Sequence, residues 1–348
     1  MYVPRFLSSL HAESNRWAIA SLVHVDGSSY LPSGALMAFH PDGRSLGVIS
    51  GGCLEADLRA RVESDGVCDS AQLLVYDLRR TDDLGFGPGA GCDGILTVLL
   101  EPWTDELARM FEGIQATWAL RSAEAGWPSP SSIPLARVRR VWHRGLGCVT
   151  VMCDVGGHLV ARYSVPVKPV IGVPAETEWD VYYEPRPRLV IFGAGPDVPP
   201  IVSLAHRAGF DVVVWDWRDE LLRRARFPHA KLLLTSTDEA VAAAEVSPYD
   251  HVLVITHQYE RDLTILRHLA RVSPFYTGLL ASRKRAARML SDLPAGYRVH
   301  APVGVPIGAE GPDEIAVSIV AELIDTQSGR RHAHARGVPM DTAEAGWK

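Results

Sequence analysis

No stretch of about 18 apolar residues occurs in this 348-residue chain, so no membrane-spanning helix is expected. Residues 1–15 have no long apolar core, which leaves out a secretory leader and points to the cytoplasm. There is no excess of positive charge: 35 Lys and Arg stand against 41 Asp and Glu, a net charge of −6. That balance provides no electrostatic footprint for nucleic acid. Cysteine is scarce, with Cys53, Cys68, Cys92, Cys148 and Cys153 and no Cys-x-x-Cys pair. Zinc ribbons and thioredoxin-like redox motifs are therefore unsupported, and the cysteines are expected to be free thiols in a reducing compartment. No Ser-His-Asp layout, phosphate-binding P-loop or His-Glu-x-x-His segment appears, and the histidines have no compact metal-ligand spacing.

What remains is an ordinary globular composition, 47% hydrophobic and 22% charged. The length favours two domains. Residues 1–165 read as an α+β domain. Short strands fall at Trp17–Val25, Ala35–Phe39, Ser45–Ile49, Leu73–Asp77 and Ile95–Leu100. Three more follow near Leu135–Trp142, Cys148–Cys153 and His158–Tyr163. Helices are expected over Cys53–Glu63 and from Thr104 to about Arg121. Residues 166–187 carry five prolines and read as a linker. From Arg188 strands and helices alternate, the signature of a Rossmann-like parallel α/β domain over 188–328. Helices are expected there at Asp219–Arg226 and at about Asp238–Ala244, among others. Residues 329–348 lack periodicity and read as a mobile tail.

The segment Ser50-Gly51-Gly52-Cys53-Leu54-Glu55 carries the most chemistry. A strand-like run ends in two glycines, and Cys53 then opens a helical pattern. First-turn amides have no partners within the helix and carry partial positive charge. A thiol there loses its proton more readily and becomes a better nucleophile and metal ligand. The glycines let backbone approach an anion. A buried core cysteine is the alternative reading. A second glycine-rich loop, Gly89-Ala90-Gly91-Cys92-Asp93-Gly94, brings another thiol. If Cys53 and Cys92 converge, two soft thiolates suit copper, zinc or sulfur-rich molybdenum chemistry; alternatively they form a disulfide sensor, which needs Cα atoms within roughly 7 Å.

In the second half, Gly193-Ala194-Gly195 lies between a strand and a helix, and Asp216 follows at the end of the next strand. This is the context of a dinucleotide fingerprint with Asp216 at the ribose. The third glycine is absent, and Pro196 removes a donor from the phosphate cradle. Thr256-His257-Gln258-Tyr259-Glu260-Arg261-Asp262 sits at another strand end, and either contacts a ligand through His257 or merely caps a helix. These residues support an NAD(P)-dependent oxidoreductase as one alternative.

Several segments resemble one family in order: Gly27-Ser28-Ser29-Tyr30-Leu31-Pro32-Ser33-Gly34-Ala35, Ser50–Ala56, Gly91–Gly94 with Leu100-Glu101-Pro102, Phe192–Gly195, Thr256–Asp262, Pro306–Glu310 and Pro312–Ala316. They resemble the XdhC/CoxI family of xanthine dehydrogenase accessory proteins, which are molybdenum cofactor maturation chaperones. The resemblance implies a cysteine-bearing N-terminal domain, a C-terminal Rossmann domain and often a homodimer. It implies a molybdopterin-type molybdenum cofactor as cargo, sulfuration with a cysteine desulfurase, and delivery to a xanthine dehydrogenase-like molybdenum hydroxylase. Such a protein carries a cofactor rather than turning over a substrate, so no catalytic residue is assigned. Cys53 is then the first cofactor and metal contact and Cys92 the second, with Gly51, Gly52 and Glu55 beside Cys53. Gly193, Gly195, Asp216 and His257 are the candidate ligand contacts of the Rossmann domain. Three positions depart from the family pattern: Asp93 replaces a glycine, Pro196 a histidine, and Gly304-Val305-Pro306-Ile307-Gly308 lacks an aspartate.

Overall fold

The computed structural model describes residues 4–13, 16–65, 70–79, 93–122, 136–143, 147–153, 159–167, 173–174, 176–184 and 186–336. They divide into two compact units, one ending at Glu184 and one starting at Arg186.

In the first unit a short 3-10 helix, Arg5–Glu13, precedes β1 (Ala18–Gly27), β2 (Leu36–Phe39) and β3 (Ser45–Gly47). Then come α1 (Cys53–Asp65), β4 (Gln72–Asp77), β5 (Gly94–Pro102) and α2 (Asp105–Ser122). β6 (Ala136–His143), β7 (Gly147–Cys153), β8 (Leu159–Val165) and β9 (Glu176–Tyr183) complete it. Two antiparallel sheets result, ordered β3-β2-β1-β5-β4 and β8-β7-β6-β9. The first six residues of β1 are buried on both faces, which explains their nearly continuous apolar run. Ala18, Ala20 and Leu22 face Leu54, Leu58 and Val62 of α1. Those three helix residues recur every four positions and so share one stripe. Trp17, Ile19 and Val23 join the core formed with α2 and the second sheet.

The linker reading of residues 166–187 gives way to structure at β9. Glu176–Tyr183 pairs with β6 along its whole length, from Ala136 opposite Tyr183 to His143 opposite Glu176. The prolines flank the strand at Pro174 and Pro185 instead of interrupting it. Trp179, Val181 and Tyr183 face inward, while Glu178 and Asp180 meet Arg137 and Arg139 of β6 on the outside. That period-two alternation is legible in the sequence and outweighs the proline density around it.

The second unit contains β10 (Arg188–Phe192), α3 (Val198–Arg207), β11 (Asp211–Asp216), β12 (Ala230–Leu234) and α4 (Ala240–Ala243). β13 (His251–Val254), α5 (Tyr259–Val272), β14 (Tyr276–Leu279), α6 (Arg283–Leu290) and α7 (Gly311–Arg336) follow. The sheet is parallel, ordered β12-β11-β10-β13-β14, with α3 and α7 on one face and α4, α5 and α6 on the other. This is the Rossmann-like domain expected. The strand order reverses between β10 and β13, where such sheets open a ligand crevice.

Three local expectations change. Asp219–Arg226 forms only a 3-10 turn at Asp219–Leu221. The Arg226 guanidinium folds back to the carbonyl of Leu221, and Arg224 takes that of Ala230, so side chains replace a helical ladder. The helix expected at Asp238–Ala244 shrinks to α4. At the other end, α7 continues to Arg336 through the first part of the expected tail. No helix among the described residues is long and apolar enough to cross a membrane.

Candidate functional site

Cys53 is the first residue of α1, as its sequence context predicts. Its side chain lies outside the described part of the structure, as do Cys92 and Cys68 altogether. The convergence of the two thiols, and the disulfide alternative, therefore fall outside the described residues. Among those described, no group of three or more His, Cys, Asp and Glu is placed to hold a metal ion. Cys148 is buried and Cys153 half-buried on β7, both as free thiols.

The turn before Cys53 is organised by Glu55. One carboxylate oxygen accepts the amides of Ser50 at 2.6 Å and Ile49 at 3.2 Å. The other accepts the Ser50 hydroxyl and the Gly52 amide, the latter at 3.1 Å. Ser50 Oγ in turn accepts the Leu54 amide at 3.1 Å, supplying a first-turn partner for α1. Burial pushes the Glu55 carboxyl up, but the Ser50 hydroxyl and these amides outweigh it and hold the group below its ordinary value. The amides at Ile49, Ser50 and Gly52 thus already hold an internal anion, and of the two glycines read from sequence as open to one, Gly52 has its amide engaged. Gly51 and Gly52 remain exposed, with no atom within 4 Å of where a Cβ would stand. The turn presents bare backbone next to Cys53.

The other N-terminal motif lines an open groove of about 640 Å³. Its walls include Gly27, Ser28, Ser29 and Ser33 on one side and Asp180 and Tyr182 of β9 on the other. Asp93 closes onto this segment: its amide donates to Ser28 Oγ at 2.9 Å, and the Ser28 amide donates to the Asp93 carbonyl at 3.2 Å. The end of the glycine–cysteine loop is thereby pinned to the Gly27-Ser28 turn.

In the second unit, Gly193, Gly195, Asp216 and His257 do come together, at the C-terminal ends of β10, β11 and β13. Their partners are one another and nearby side chains. Asp216 is fully buried. Its Oδ2 accepts the Ala194 amide at 2.7 Å, and both oxygens accept the Arg218 guanidinium at 2.9 Å. Arg226 donates to the carbonyls of Ala194 at 3.0 Å and Gly195 at 2.9 Å. Asp197, at the N-terminal boundary of α3, accepts His257 Nε2 at 2.8 Å. The two fingerprint glycines answer to these contacts. Gly193 sits at φ +126° against the Ile255 backbone, and a Cβ on Gly195 would stand 2.6 Å from Asp197 Oδ1.

His257 has φ +61°, the left-handed region unusual for a side-chain-bearing residue. The loop is held there by Asp262, which accepts the Thr256 amide at 3.1 Å and hydroxyl at 2.6 Å and pairs with Arg285. The hydrogen bond with Asp197 is the main cause raising the His257 pKa above its ordinary value, against partial burial. Beside this loop, Arg218 and Arg261 each place a guanidinium 4.1 Å from the centre of the Trp217 ring. Sequence alone assigns no role here to Asp197, Arg218 or Arg226, whereas Asp262 closes the Thr256–Asp262 segment that it does pick out. Their partners lie 2 to 60 residues away, and Asp197, two residues after Gly195, offers the local signal.

A dinucleotide does not fit this donor set. Pro196, Pro199 and Pro200 lack N–H groups, and the amides of Gly193, Ala194 and Val198 are bound to Trp215, Asp216 and Gly195. Asp197 puts a carboxylate where a pyrophosphate would approach the helix, and Asp216 has both oxygens engaged before any ribose arrives.

Fold and sites together define a two-unit protein: a Rossmann-type domain with a self-filled crevice, and an antiparallel domain with a cysteine at a helix start. The comparisons with known proteins place it further. The family model for the XdhC Rossmann domain matches residues 189–323, and that for the XdhC and CoxI family matches residues 10–77. A probable xanthine dehydrogenase subunit of Bacillus subtilis (strain 168) is 34% identical over 341 residues, covering 92% of this chain and 96% of that protein. The molybdenum cofactor insertion chaperone PaoD of Escherichia coli (strain K12) is 26% identical over 320 residues, covering 88% and 81%. A crystal structure of a xanthine dehydrogenase from Bacillus halodurans superposes with a TM-score of 0.78 at 32% identity, covering 96% of this chain and 98% of that one. The chain belongs to the XdhC and CoxI family.

Proposed function

We propose that this protein is an accessory factor for a xanthine dehydrogenase-like molybdenum hydroxylase. It carries molybdenum cofactor, supports its sulfuration together with a cysteine desulfurase, and hands it to the client enzyme. The similarity to a molybdenum cofactor insertion chaperone over 88% of the chain carries this reading. Cys53 is the contact proposed for the cargo metal, with Cys92 second. A thiol in the first turn of α1 is in the setting that favours thiolate, and thiolate is a soft ligand suited to molybdenum. Glu55 is assigned a positioning role, because its carboxylate braces the turn from behind while Gly51 and Gly52 face solvent. The protein works in the cytoplasm as a homodimer in this proposal.

The test is retention of pterin during purification from cells that make the cofactor. Wild type is expected to retain it, Cys53→Ala to lose most of it and Cys92→Ala to lose part. Equal retention by wild type and Cys53→Ala removes Cys53 from the site. The NAD(P)-dependent oxidoreductase remains the second reading, resting on Gly193, Gly195 and Asp216. The prolines, Asp197 and the engaged Asp216 weigh against it. Calorimetry with NAD and NADP at millimolar concentration is expected to show no binding, and a measurable affinity would revive that reading.

A further inference from the structure

One flank of α1 joins Cys53 to a carboxylate that the proposed function leaves unused. Cys53, Asp57 and Arg61 recur every four residues and so share a stripe beside the buried Leu54, Leu58 and Val62. Residues at that spacing on a helix are neighbours, with Cβ atoms about 6 Å apart. The opposite flank is turned to β3, where Arg59 donates to Ser45 Oγ at 3.2 Å. The Asp57 flank is turned to β4, where the Tyr76 hydroxyl donates to Asp57 Oδ2 at 2.5 Å. Tyr76 is the penultimate residue of β4, so this bond sets the end of the strand beside the first turns of α1. The segment that carries Cys92 leaves β4 at that end, and the chain rejoins the sheet at Gly94 of β5, with Leu96 opposite Tyr76.

Asp57 is held through one oxygen only. Arg61 Nε donates to the same Oδ2 at 2.7 Å, so both donors share it. Burial, and then the bond to Asp57, push the Tyr76 pKa well above its ordinary value, so the phenol stays a donor. Oδ1 takes no hydrogen bond among the described residues, and the side chain is half-buried, within reach of a ligand. The Arg61 guanidinium already balances the carboxylate, so a second cation would be repelled by it and an anion by Oδ1. A neutral N–H donor suits the free oxygen.

We propose that Asp57 Oδ1 accepts a hydrogen bond from the N–H edge of the cargo's pterin ring and so orients that ring at Cys53. The inference rests on the cargo reading above and adds the group that selects the ring. A pterin carries an amino group beside its ring amide, a donor edge that a carboxylate oxygen complements through a charge-assisted bond. A carboxylate already fixed by two donors needs little further ordering when the ligand arrives. A ring with a carbonyl in place of the amino group would set two acceptors against each other.

The test compares pterin with lumazine, which has a carbonyl where pterin has that amino group. Each is titrated into the full chain and followed by its own fluorescence. Pterin is expected to saturate and to bind about tenfold or more tighter than lumazine. In Asp57→Asn the amide carbonyl can still accept from Tyr76 and Arg61, while its NH2 takes the place of Oδ1 and sets donor against donor. Pterin should then bind about tenfold or more weakly, and the preference over lumazine should vanish. Arg59→Gln, which frees the opposite flank of α1, should change neither. Thermal unfolding checks each variant, and the lumazine comparison in the wild-type chain stands apart from any effect on folding. No saturation by pterin, equal affinity for the two rings, or an unchanged preference in Asp57→Asn would overturn the proposal. None of these outcomes alters the retention expected of wild type and Cys53→Ala, which tests the cargo reading by itself.

Discussion

Replacing Glu101 probes how the two sheets of the first unit are joined. Glu101 on β5 is 0% exposed and Arg140 on β6 is 2% exposed, and their side chains meet at 2.6 Å. Arg140 also donates to Ser21 Oγ of β1 at 3.2 Å. One guanidinium therefore ties together strands of both sheets in the middle of the core. Burial pushes the Glu101 carboxyl up, and the adjacent guanidinium opposes it. In Glu101→Leu the guanidinium keeps its charge, since it does not give up a proton in proteins, and loses its carboxylate partner. Breaking a buried pair in this way costs about 3–5 kcal/mol. With a urea slope of about 2 kcal/mol/M, the midpoint should fall by about 1.5–2.5 M. The pair as a whole contributes far less than that, because burying both charges is itself expensive. Glu101→Leu with Arg140→Met should recover most of the loss, to within about 1–2 kcal/mol of wild type. The assay is urea unfolding followed by hydrogen exchange and mass spectrometry of peptides from β5 and β6, which separates this unit from the Rossmann-type one. A midpoint shift under about 0.5 M for Glu101→Leu (roughly 1 kcal/mol), or a double variant no better than the single, would refute the reasoning.

Other consequences follow at the two candidate sites. Glu55→Ala removes the acceptor for Ile49, Ser50 and Gly52, so their amides should exchange faster and stability should fall by about 1.5–3 kcal/mol; unchanged protection of those amides would contradict the bracing role. His257 should titrate above its unfolded value of about 6.5, and Asp197→Asn should return it there. Because the folded value is the higher one, this pair's stabilisation is complete below the unfolded pKa and is lost as pH rises through the folded one. Imidazole NMR resonances across pH 5 to 9, roughly the range over which histidine changes charge, check it, and identical curves for wild type and Asp197→Asn would sink the assignment. Gly195→Ala forces a Cβ against Asp197 Oδ1 and should destabilise by about 1–3 kcal/mol while lowering the His257 pKa. A Gly195→Ala protein with wild-type melting and titration would show that the carboxylate simply moves aside.

Much of the architecture is legible in local pattern. The run Leu189–Phe192 followed by glycine places β10 and its turn, and the four-residue recurrence of Leu54, Leu58 and Val62 places α1 with Cys53 at its start. β9 carried an equally clear alternation, but the prolines at its flanks read as a break; pairing with β6 and the Arg137 and Arg139 ion pairs with Asp180 settle it as strand. Arg226 is the reverse case. Its neighbourhood looked helical, yet the guanidinium finds carbonyls of Ala194 and Gly195 more than 30 residues away in sequence, and the helix stops.

The chain order of strands, glycines and cysteine by itself determined a parallel Rossmann-type half, an α+β half and a thiol at a helix start, because backbone geometry and amphipathic period are local properties. Tertiary structure decided what those motifs hold. The Glu55 carboxylate fills the amides of the turn, Asp197 and Arg218 close the dinucleotide crevice, and Glu101 and Arg140 meet across 39 residues of sequence. A charged side chain's partner is set by which strand ends the fold brings within hydrogen-bond reach, and no period or spacing along the chain encodes that distance.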